Sequence, residues 1–277
     1  MAIAQINFMS KSLMRNVTFN AILPVDKLAF PGSPVVEKKP FKTLYLLHGI
    51  FGNYTDWITG TRIEQWAQEK NLAVIMPSGD NHFYVDHETT NEMYGEFIGK
   101  ELVEITRAMF QLSDCREDTY IAGLSMGGYG ALRNGLKYND TFGCIGALSS
   151  ALILEAAVNS KEDAPLFMHR RSYFEDVFGD LTKLMGSDKD YYALIHSLKE
   201  RQVCIPRIFM CCGTEDFLLS SNRAYHEFLK EQEVEVHYEE GTGAHDWDYW
   251  NIYIRKLLEW LPLDEGHRGI NSGNVGI

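Results

Sequence analysis

The alternation of short apolar segments with amphipathic ones constrains the fold of this chain more than any other feature. Five predominantly apolar runs end at a glycine or a serine, namely TLYLLHG, LAVIMPSG, DTYIAGLS, FGCIGALSS and RIFMCCG. Such runs are typical of strands that are buried on both faces. The segments between several of them carry apolar residues at helical spacing. The alternation predicts an α/β fold, with a mostly parallel twisted sheet and helices on both of its faces.

Three further segments complete the predicted organisation of one domain over residues 1–277. IAQINFMS and RNVTFNAILP, near the start, are expected to form a strand pair. Residues 151–200 interrupt the alternation and are rich in charged residues, so we predict a helical, cap-like insertion there. Residues 264–277 are rich in Gly and Asn and are predicted to be a loose tail.

One serine stands between a predicted strand and a predicted helix. Residues 123–127, Gly-Leu-Ser-Met-Gly, fit the pattern G-x-S-x-G, which places Ser125 on a sharp turn with its hydroxyl above a sheet. A serine hydroxyl is a weak nucleophile unless an imidazole accepts its proton and a carboxylate holds that imidazole. Ser125 alone therefore does not predict nucleophilic catalysis, which also requires a histidine and an acid as its partners.

Chain order and loop position select the histidine. In this architecture the partners follow the serine in the order acid, then histidine, on loops at one sheet edge. His226 lies in a predicted helix, His237 in a predicted strand, and His267 in the tail. His245 lies in the glycine-flanked loop between the last predicted strand and the last predicted helix. We therefore predict that His245 is the base.

The loop TEDFLLSSN, after the apolar run RIFMCCG, offers two acids. Adjacent residues of an extended turn point in different directions, so we expect one of them to face His245. We favour Asp216, because its spacing from Gly213 carries the chain past the strand end; Glu215 stays an alternative. Asp216 could also simply cap the helix that follows.

Two backbone amides are predicted to bind an oxyanion. One is the N–H of Met126, directly after the serine, and the other comes from the loop after an early strand. In HGIFGNYTDW, which occupies that loop, the N–H of Ile50 is the candidate, and His48 is interpreted as a structural histidine that closes the strand end.

Charge and cysteine usage exclude several classes of partner. The net charge is -12, from 38 acidic against 26 basic residues, which disfavours nucleic acid and anionic membranes as partners. The five cysteines show neither zinc-site nor disulfide-framework spacing, and no leader or spanning segment is apparent. We expect a cytoplasmic protein that needs no metal and no cofactor.

The segments LYLLHGIFGNYTDWI, MPSGDNHFYVD, IAGLSMGGYGAL, CGTEDFL and GAHDWDYW resemble the esterase D branch of the α/β-hydrolase fold. Within that branch the chain is most similar to bacterial tributyrin-esterase-like carboxylesterases, over roughly residues 5–262. The resemblance implies Ser125 as nucleophile, His245 as general base and Asp216 as its orienting acid. It also implies the amides of Ile50 and Met126 as oxyanion donors.

These observations together predict a serine carboxylesterase whose partner is a small-molecule ester with a short acyl or small aryl group, such as an acetyl, butyryl or feruloyl ester. Phe83, Tyr84 and Phe167 are candidates to line the substrate pocket, as apolar side chains commonly do. The alternatives are a hydrolase of the thioester S-formylglutathione, an acyltransferase to an alcohol, and a binding module that has lost catalysis. A homo-oligomer is compatible with the sequence.

Overall fold

A computed structural model of the chain describes residues 1–27 and 39–263. Eight strands form the main sheet, which has the order β1-β2-β4-β3-β7-β8-β9-β10. Their bounds are β1 (Ala2–Ser10), β2 (Arg15–Leu23), β3 (Thr43–Leu47), β4 (Ala73–Pro77), β7 (Thr119–Leu124), β8 (Cys144–Leu148), β9 (Arg207–Gly213) and β10 (Val236–Gly241). A separate two-stranded sheet contains β5 (Asp86–His87) and β6 (Glu92–Met93).

The sheet has the predicted mostly parallel arrangement. The antiparallel pairs are β1 with β2 and β2 with β4, whereas the strands from β4 to β10 pair in parallel along the sheet. Strands β3, β4, β7 and β8 are buried along their whole length, which explains why their sequences are apolar without alternation. The α/β-hydrolase type of fold predicted from the sequence is confirmed.

Helices cover both faces of the sheet. Their bounds are α1 (Asp56–Gly60), α2 (Ile63–Glu69), α3 (Tyr94–Glu96), α4 (Leu102–Met109), α5 (Met126–Lys137), α6 (Leu154–Val158), α7 (Arg171–Phe178), α8 (Tyr191–Glu200), α9 (Leu219–Glu231) and α10 (Trp247–Trp260). A π-helical turn, Phe97–Glu101, joins α3 to α4.

Successive strand residues point to opposite faces, so Tyr45 and Leu46 belong to two different apolar clusters. In the part of the chain that the structure describes, no helix is long and apolar enough to cross a membrane.

The segment 151–200 contains α6, α7 and α8, and it lies between β8 and β9. It is helical, as its composition indicated. Tyr173 donates a hydrogen bond from its hydroxyl to the backbone oxygen of Asn81, at 2.8 Å, so α7 contacts the loop that follows β4. Its role as a cap and the single-domain organisation stay predictions, and the proposed loose tail at 264–277 lies outside the described residues.

Parallel register brings the carboxyl ends of the central strands to one edge of the sheet. Leu47 pairs with Gly123, Leu124 with Leu148, and Gly213 with Gly241. The loops that follow β3, β7, β8, β9 and β10 therefore share a rim, where ligands of such sheets bind.

An ionic cluster around the buried Arg133 connects α5 to β5 and to the loop before α8. The guanidinium of Arg133, whose side chain is fully buried, donates to the carboxylates of Asp86 and Asp188, and the ammonium of Lys137 pairs with the same two acids. Burial alone raises the pKa of both carboxyls, but Arg133 and Lys137 outweigh it and hold the pKa below its usual value. The cluster thus depends on both acids being ionised.

Replacing Arg133 by Met is expected to lower the free energy of unfolding by about 3 kcal/mol, because it leaves the buried carboxylate of Asp86 with Lys137 as its one remaining cation in the cluster. Urea denaturation measures this. Arg171→Met, which removes an exposed pair with Glu175 at 2.7 Å, is the control and should cost less than about 1 kcal/mol.

The loss caused by Arg133→Met should also depend on pH. The pKa of Asp86 is lowered by folding, so the stabilisation is present above its ordinary value of 3.8 and is lost as the pH falls further. The free energies of unfolding of the wild type and of Arg133→Met should therefore become more similar as the pH is lowered. A loss equal to that of the control at neutral pH would contradict a stabilising role for the cluster.

Candidate active site

Ser125 lies on a tight turn between β7 and α5. Its backbone has φ 53° and ψ -117°, an unfavourable conformation for a residue with a side chain. A Cβ on Gly123 would lie 2.4 Å from the backbone oxygen of Gly127, and one on Gly127 would lie 2.5 Å from the backbone oxygen of His48. The glycines of the G-x-S-x-G pattern therefore allow the close approach that this turn requires.

The structure brings Ser125, His245 and Asp216 together. The Nε2 atom of His245 is 3.0 Å from the Ser125 hydroxyl, and its Nδ1 atom is 2.9 Å from Oδ2 of Asp216. His226 lies in α9 and His237 in β10, as predicted, and His267 lies outside the described residues. The loop after β10 thus places His245 where chain order predicted it.

Asp216 is a buried carboxylate that determines which ring nitrogen of His245 carries a proton. Oδ1 accepts a hydrogen bond from the Leu218 amide at 2.8 Å. Burial raises the pKa of Asp216, but hydrogen bonds from His245 and the Leu218 amide, together with the polar hydroxyl of Ser149, outweigh it and lower the pKa. Because an ionised carboxylate only accepts, Nδ1 of His245 donates to it, which leaves Nε2 of the neutral ring to accept from Ser125.

Glu215, the alternative acid, points elsewhere. Its Oε2 atom accepts a hydrogen bond from the Gly243 amide at 2.5 Å, and its Oε1 atom accepts one from the Thr214 hydroxyl at 3.0 Å. Glu215 therefore ties the loop after β9 to the loop that carries His245. The structure brings Asp216, and not Glu215, to the imidazole.

His48 is a neutral, structural residue at the end of β3. Its Nε2 atom accepts from the Gly79 amide at 2.8 Å, so the other ring nitrogen, Nδ1, donates to the Gly49 backbone oxygen at 2.6 Å. Burial is the largest influence on the ring and lowers its pKa, although nearby carboxylates act in the opposite direction. Tyr84 donates to the backbone oxygen of His48 at 3.0 Å. These bonds fix the start of the loop that carries Ile50.

The two predicted oxyanion donors both adjoin Ser125. A Cβ on Gly49 would lie 3.5 Å from Cβ of Ser125, so the residue before Ile50 is close to the serine. Within residues 1–27 and 39–263, the Ile50 amide donates to no protein acceptor. Met126 begins α5, where first-turn amides have no acceptor within the helix. Both amides therefore remain able to donate to a bound oxygen.

The predicted pocket residues occupy different environments. Phe83 and Tyr84 are 3% and 0% exposed, and Phe83 packs on Tyr129, so their burial argues against the direct substrate contact that we expected. Phe167 is 47% exposed, and its ring centroid lies 6.1 Å from that of Phe51. Tyr84 instead supports the site through His48.

Two exposed aromatic residues on the site loops were not predicted from the sequence. Phe51 follows Ile50, and Phe217 follows Asp216; they are 65% and 74% exposed. The Phe217 ring centroid is 4.7 Å from that of His245. Each directly follows a predicted site residue, and this position in the sequence could have identified it as a candidate substrate contact.

Across the described ranges, no group of three or more His, Cys, Asp or Glu side chains is arranged to hold a metal ion.

Comparisons with known proteins identify the family of the chain. The family model Esterase matches residues 10–261. An acetyl esterase from Caldicellulosiruptor saccharolyticus is 51% identical over 261 residues, which cover 94% of this chain and 98% of that protein.

Two solved structures from Staphylococcus aureus are also similar, each at 31% identity. FphF, a fluorophosphonate-binding serine hydrolase, has a TM-score of 0.82 and coverage of 94% of this chain and 98% of its own. An S-formylglutathione hydrolase has a TM-score of 0.79, with coverage of 94% and 99%. The chain belongs to the Esterase family and is a carboxylic ester hydrolase with the α/β-hydrolase fold.

Proposed function

We propose that this enzyme is a serine carboxylesterase that hydrolyses esters of short acyl or small aryl groups through an acyl-enzyme. The observation that carries the proposal is the continuous hydrogen-bonded arrangement of Ser125, His245 and Asp216, at 3.0 and 2.9 Å. The 51% identical relative is named an acetyl esterase, which supports a small acyl group.

Acylation begins when Nε2 of His245 takes the proton of the Ser125 hydroxyl while the oxygen attacks the ester carbonyl carbon. The carbonyl oxygen becomes an oxyanion, to which the amides of Ile50 and Met126 donate. The bond to the leaving alcohol then breaks, and the imidazolium returns its proton to that alcohol. The product of this half-reaction is an ester of Ser125.

Deacylation repeats these steps with water. His245 takes a proton from the water as the water attacks the acyl carbon, and Ser125 leaves with the proton that the imidazolium returns. Asp216 stays ionised throughout and stabilises the imidazolium. Its lowered pKa supports this role, because a neutral carboxyl could not do so.

The exposed aromatic residues suggest where the rest of the substrate lies. Phe51 and Phe167 lie on the Ile50 side of the serine, and Phe217 lies against His245. We therefore propose Phe51, Phe167 and Phe217 as the apolar contacts of the ester, in place of Phe83 and Tyr84.

The test is the pre-steady-state hydrolysis of p-nitrophenyl acetate and butyrate. An acyl-enzyme that forms faster than it breaks down releases a burst of one p-nitrophenol per active site. Ser125→Ala should show no burst, and its turnover should be about 10⁶-fold slower than that of the wild type. Equal, slow hydrolysis by the wild type and by Ser125→Ala would refute the proposal.

A second candidate is thioester hydrolysis, supported by the likeness to an S-formylglutathione hydrolase. The same three side chains would perform it, so geometry does not separate the two. The ratio of kcat/KM for S-formylglutathione to that for p-nitrophenyl butyrate and methyl ferulate does separate them.

Tyr84→Phe tests the supporting role of Tyr84. Removing the hydroxyl leaves the backbone oxygen of His48 without its 3.0 Å hydrogen bond, and we expect a fall in kcat of about threefold to tenfold. KM for acetate and butyrate esters should stay unchanged. A change in KM that grows with acyl length would instead support direct substrate contact by Tyr84.

We also propose a cytoplasmic location. All five cysteines are free thiols in the structure, which is compatible with a reducing compartment.

A further inference from the structure

Ser149 has a strained backbone next to the site, and the proposed mechanism does not use it. It directly follows β8, has φ 45° although it is not a glycine, and is fully buried. Its amide donates to the backbone oxygen of Cys211 at 2.7 Å. A strained residue that its neighbours hold in place is often part of a functional site.

The sheet places Ser149 between the nucleophile and the acid. The Ser125 amide donates to the backbone oxygen of Leu148, the residue before Ser149, at 2.9 Å. Leu148 pairs with Cys211 of β9, and the chain reaches Asp216 soon after that strand ends. Ser149 therefore follows the strand that lies between those presenting the serine and the acid, and its own amide bonds to the second of them, β9.

The hydroxyl of Ser149 and the carboxylate of Asp216 are both buried at the end of β9. The Ser149 hydroxyl is completely buried, and it makes no hydrogen bond of normal geometry with any of the described residues. Its polar neighbours are the Asp216 carboxylate, whose pKa it helps to lower, and the Cys212 thiol, whose pKa burial raises to about 12. A neutral thiol is a poor acceptor, so the carboxylate is the natural partner for this donor.

We propose that Ser149 is a positioning residue, whose hydroxyl donates to the Asp216 carboxylate and holds it in line with His245. This inference rests on the proposed function, in which Asp216 orients the imidazole. With the Leu218 amide and His245, Ser149 supplies the third donor to the carboxylate.

Loss of this donor should change both the rate and its dependence on pH. The titratable groups that face the carboxylate are His245 and the Cys212 thiol, whereas Glu215, on the adjacent residue, is turned toward the Gly243 amide. Without the hydroxyl, more of the negative charge of Asp216 acts on the imidazole and favours its protonated form. The acidic limb of kcat/KM should therefore move to higher pH.

The experiment compares Ser149→Ala with Ser150→Ala, using p-nitrophenyl acetate over a range of pH. Ser150 is the matched control: it is also buried with an unpaired hydroxyl, but its backbone bonds to the side chain of Asn222. We expect Ser149→Ala to lower kcat about tenfold with little change in KM, and to shift the acidic limb by about half a pH unit. Ser150→Ala should leave kcat and KM within about twofold of the wild-type values and should not shift the acidic limb.

Ser149→Gly separates the hydroxyl from the backbone strain, because glycine adopts a positive φ without cost. It should be as impaired as Ser149→Ala and show the same pH shift; it also serves as the test if the alanine variant does not fold. Wild-type kcat and pH dependence in the glycine variant, or in a folded alanine variant, would overturn the inference. In that case the wild-type enzyme would still release its burst of p-nitrophenol. A failure of the proposed role of Ser149 is therefore distinct from a failure of the proposed function.

Discussion

Ser125→Ala is expected to lower kcat for p-nitrophenyl butyrate by about 10⁶-fold, because no other group can form the acyl intermediate. His245→Ala should cost a similar factor, since an unassisted hydroxyl at the same position is a poor nucleophile. The double variant should be no slower than either single one, because the two side chains act as a unit. Steady-state rates at saturating ester measure all three.

Ser150→Ala is the control for Ser125→Ala, because it also removes a buried hydroxyl near the turn. It should stay active, and circular dichroism should show that every variant is folded. Rate losses that add on a logarithmic scale in the double variant would contradict the shared role of Ser125 and His245.

Asp216→Asn is expected to lower kcat by about 10⁴-fold. An amide nitrogen facing Nδ1 of His245 would donate to it, and the ring would then carry its proton on Nε2. That proton would point at the Ser125 hydroxyl, and the imidazole could no longer accept from it. The predicted loss therefore arises from the wrong tautomer of His245.

Glu215→Gln is the matched control for Asp216→Asn. Its amide oxygen can still accept from the Gly243 amide, so we expect a change of only a few-fold. Comparison of the two variants in the same assay decides between the acids. A large loss in Glu215→Gln with a small one in Asp216→Asn would identify Glu215 as the orienting acid.

Much of the fold and the three central side chains could be predicted because the relevant signals are local or topological. Strands such as β3 and β7 are buried on both faces, so their apolar runs mark them in the sequence. A parallel sheet then brings the loops after its strands to one edge. This rule selected His245 from four late histidines without any knowledge of contacts.

Side-chain direction in the loops could not be predicted in the same way. Asp80, Phe83 and Tyr84 all have positive φ, so the chain after β4 reverses direction repeatedly and turns the two aromatic rings into the core. Loop residues have no periodicity from which this could be read.

Contacts between residues far apart in the sequence were equally out of reach. Arg133 meets Asp188 across 55 positions, and neither residue belongs to a recognisable motif. The approach of Ser149 to Asp216 likewise depends on how β8 and β9 end, which the apolar runs do not specify.

The most direct test of the central claim is to treat the enzyme with a fluorophosphonate and to locate the adduct by peptide mass mapping. We predict one adduct per chain, on Ser125, with loss of esterase activity in proportion to labelling. His245→Ala should be labelled far more slowly. An adduct on another residue, or an unmodified Ser125 in enzyme that the reagent has inactivated, would contradict the account.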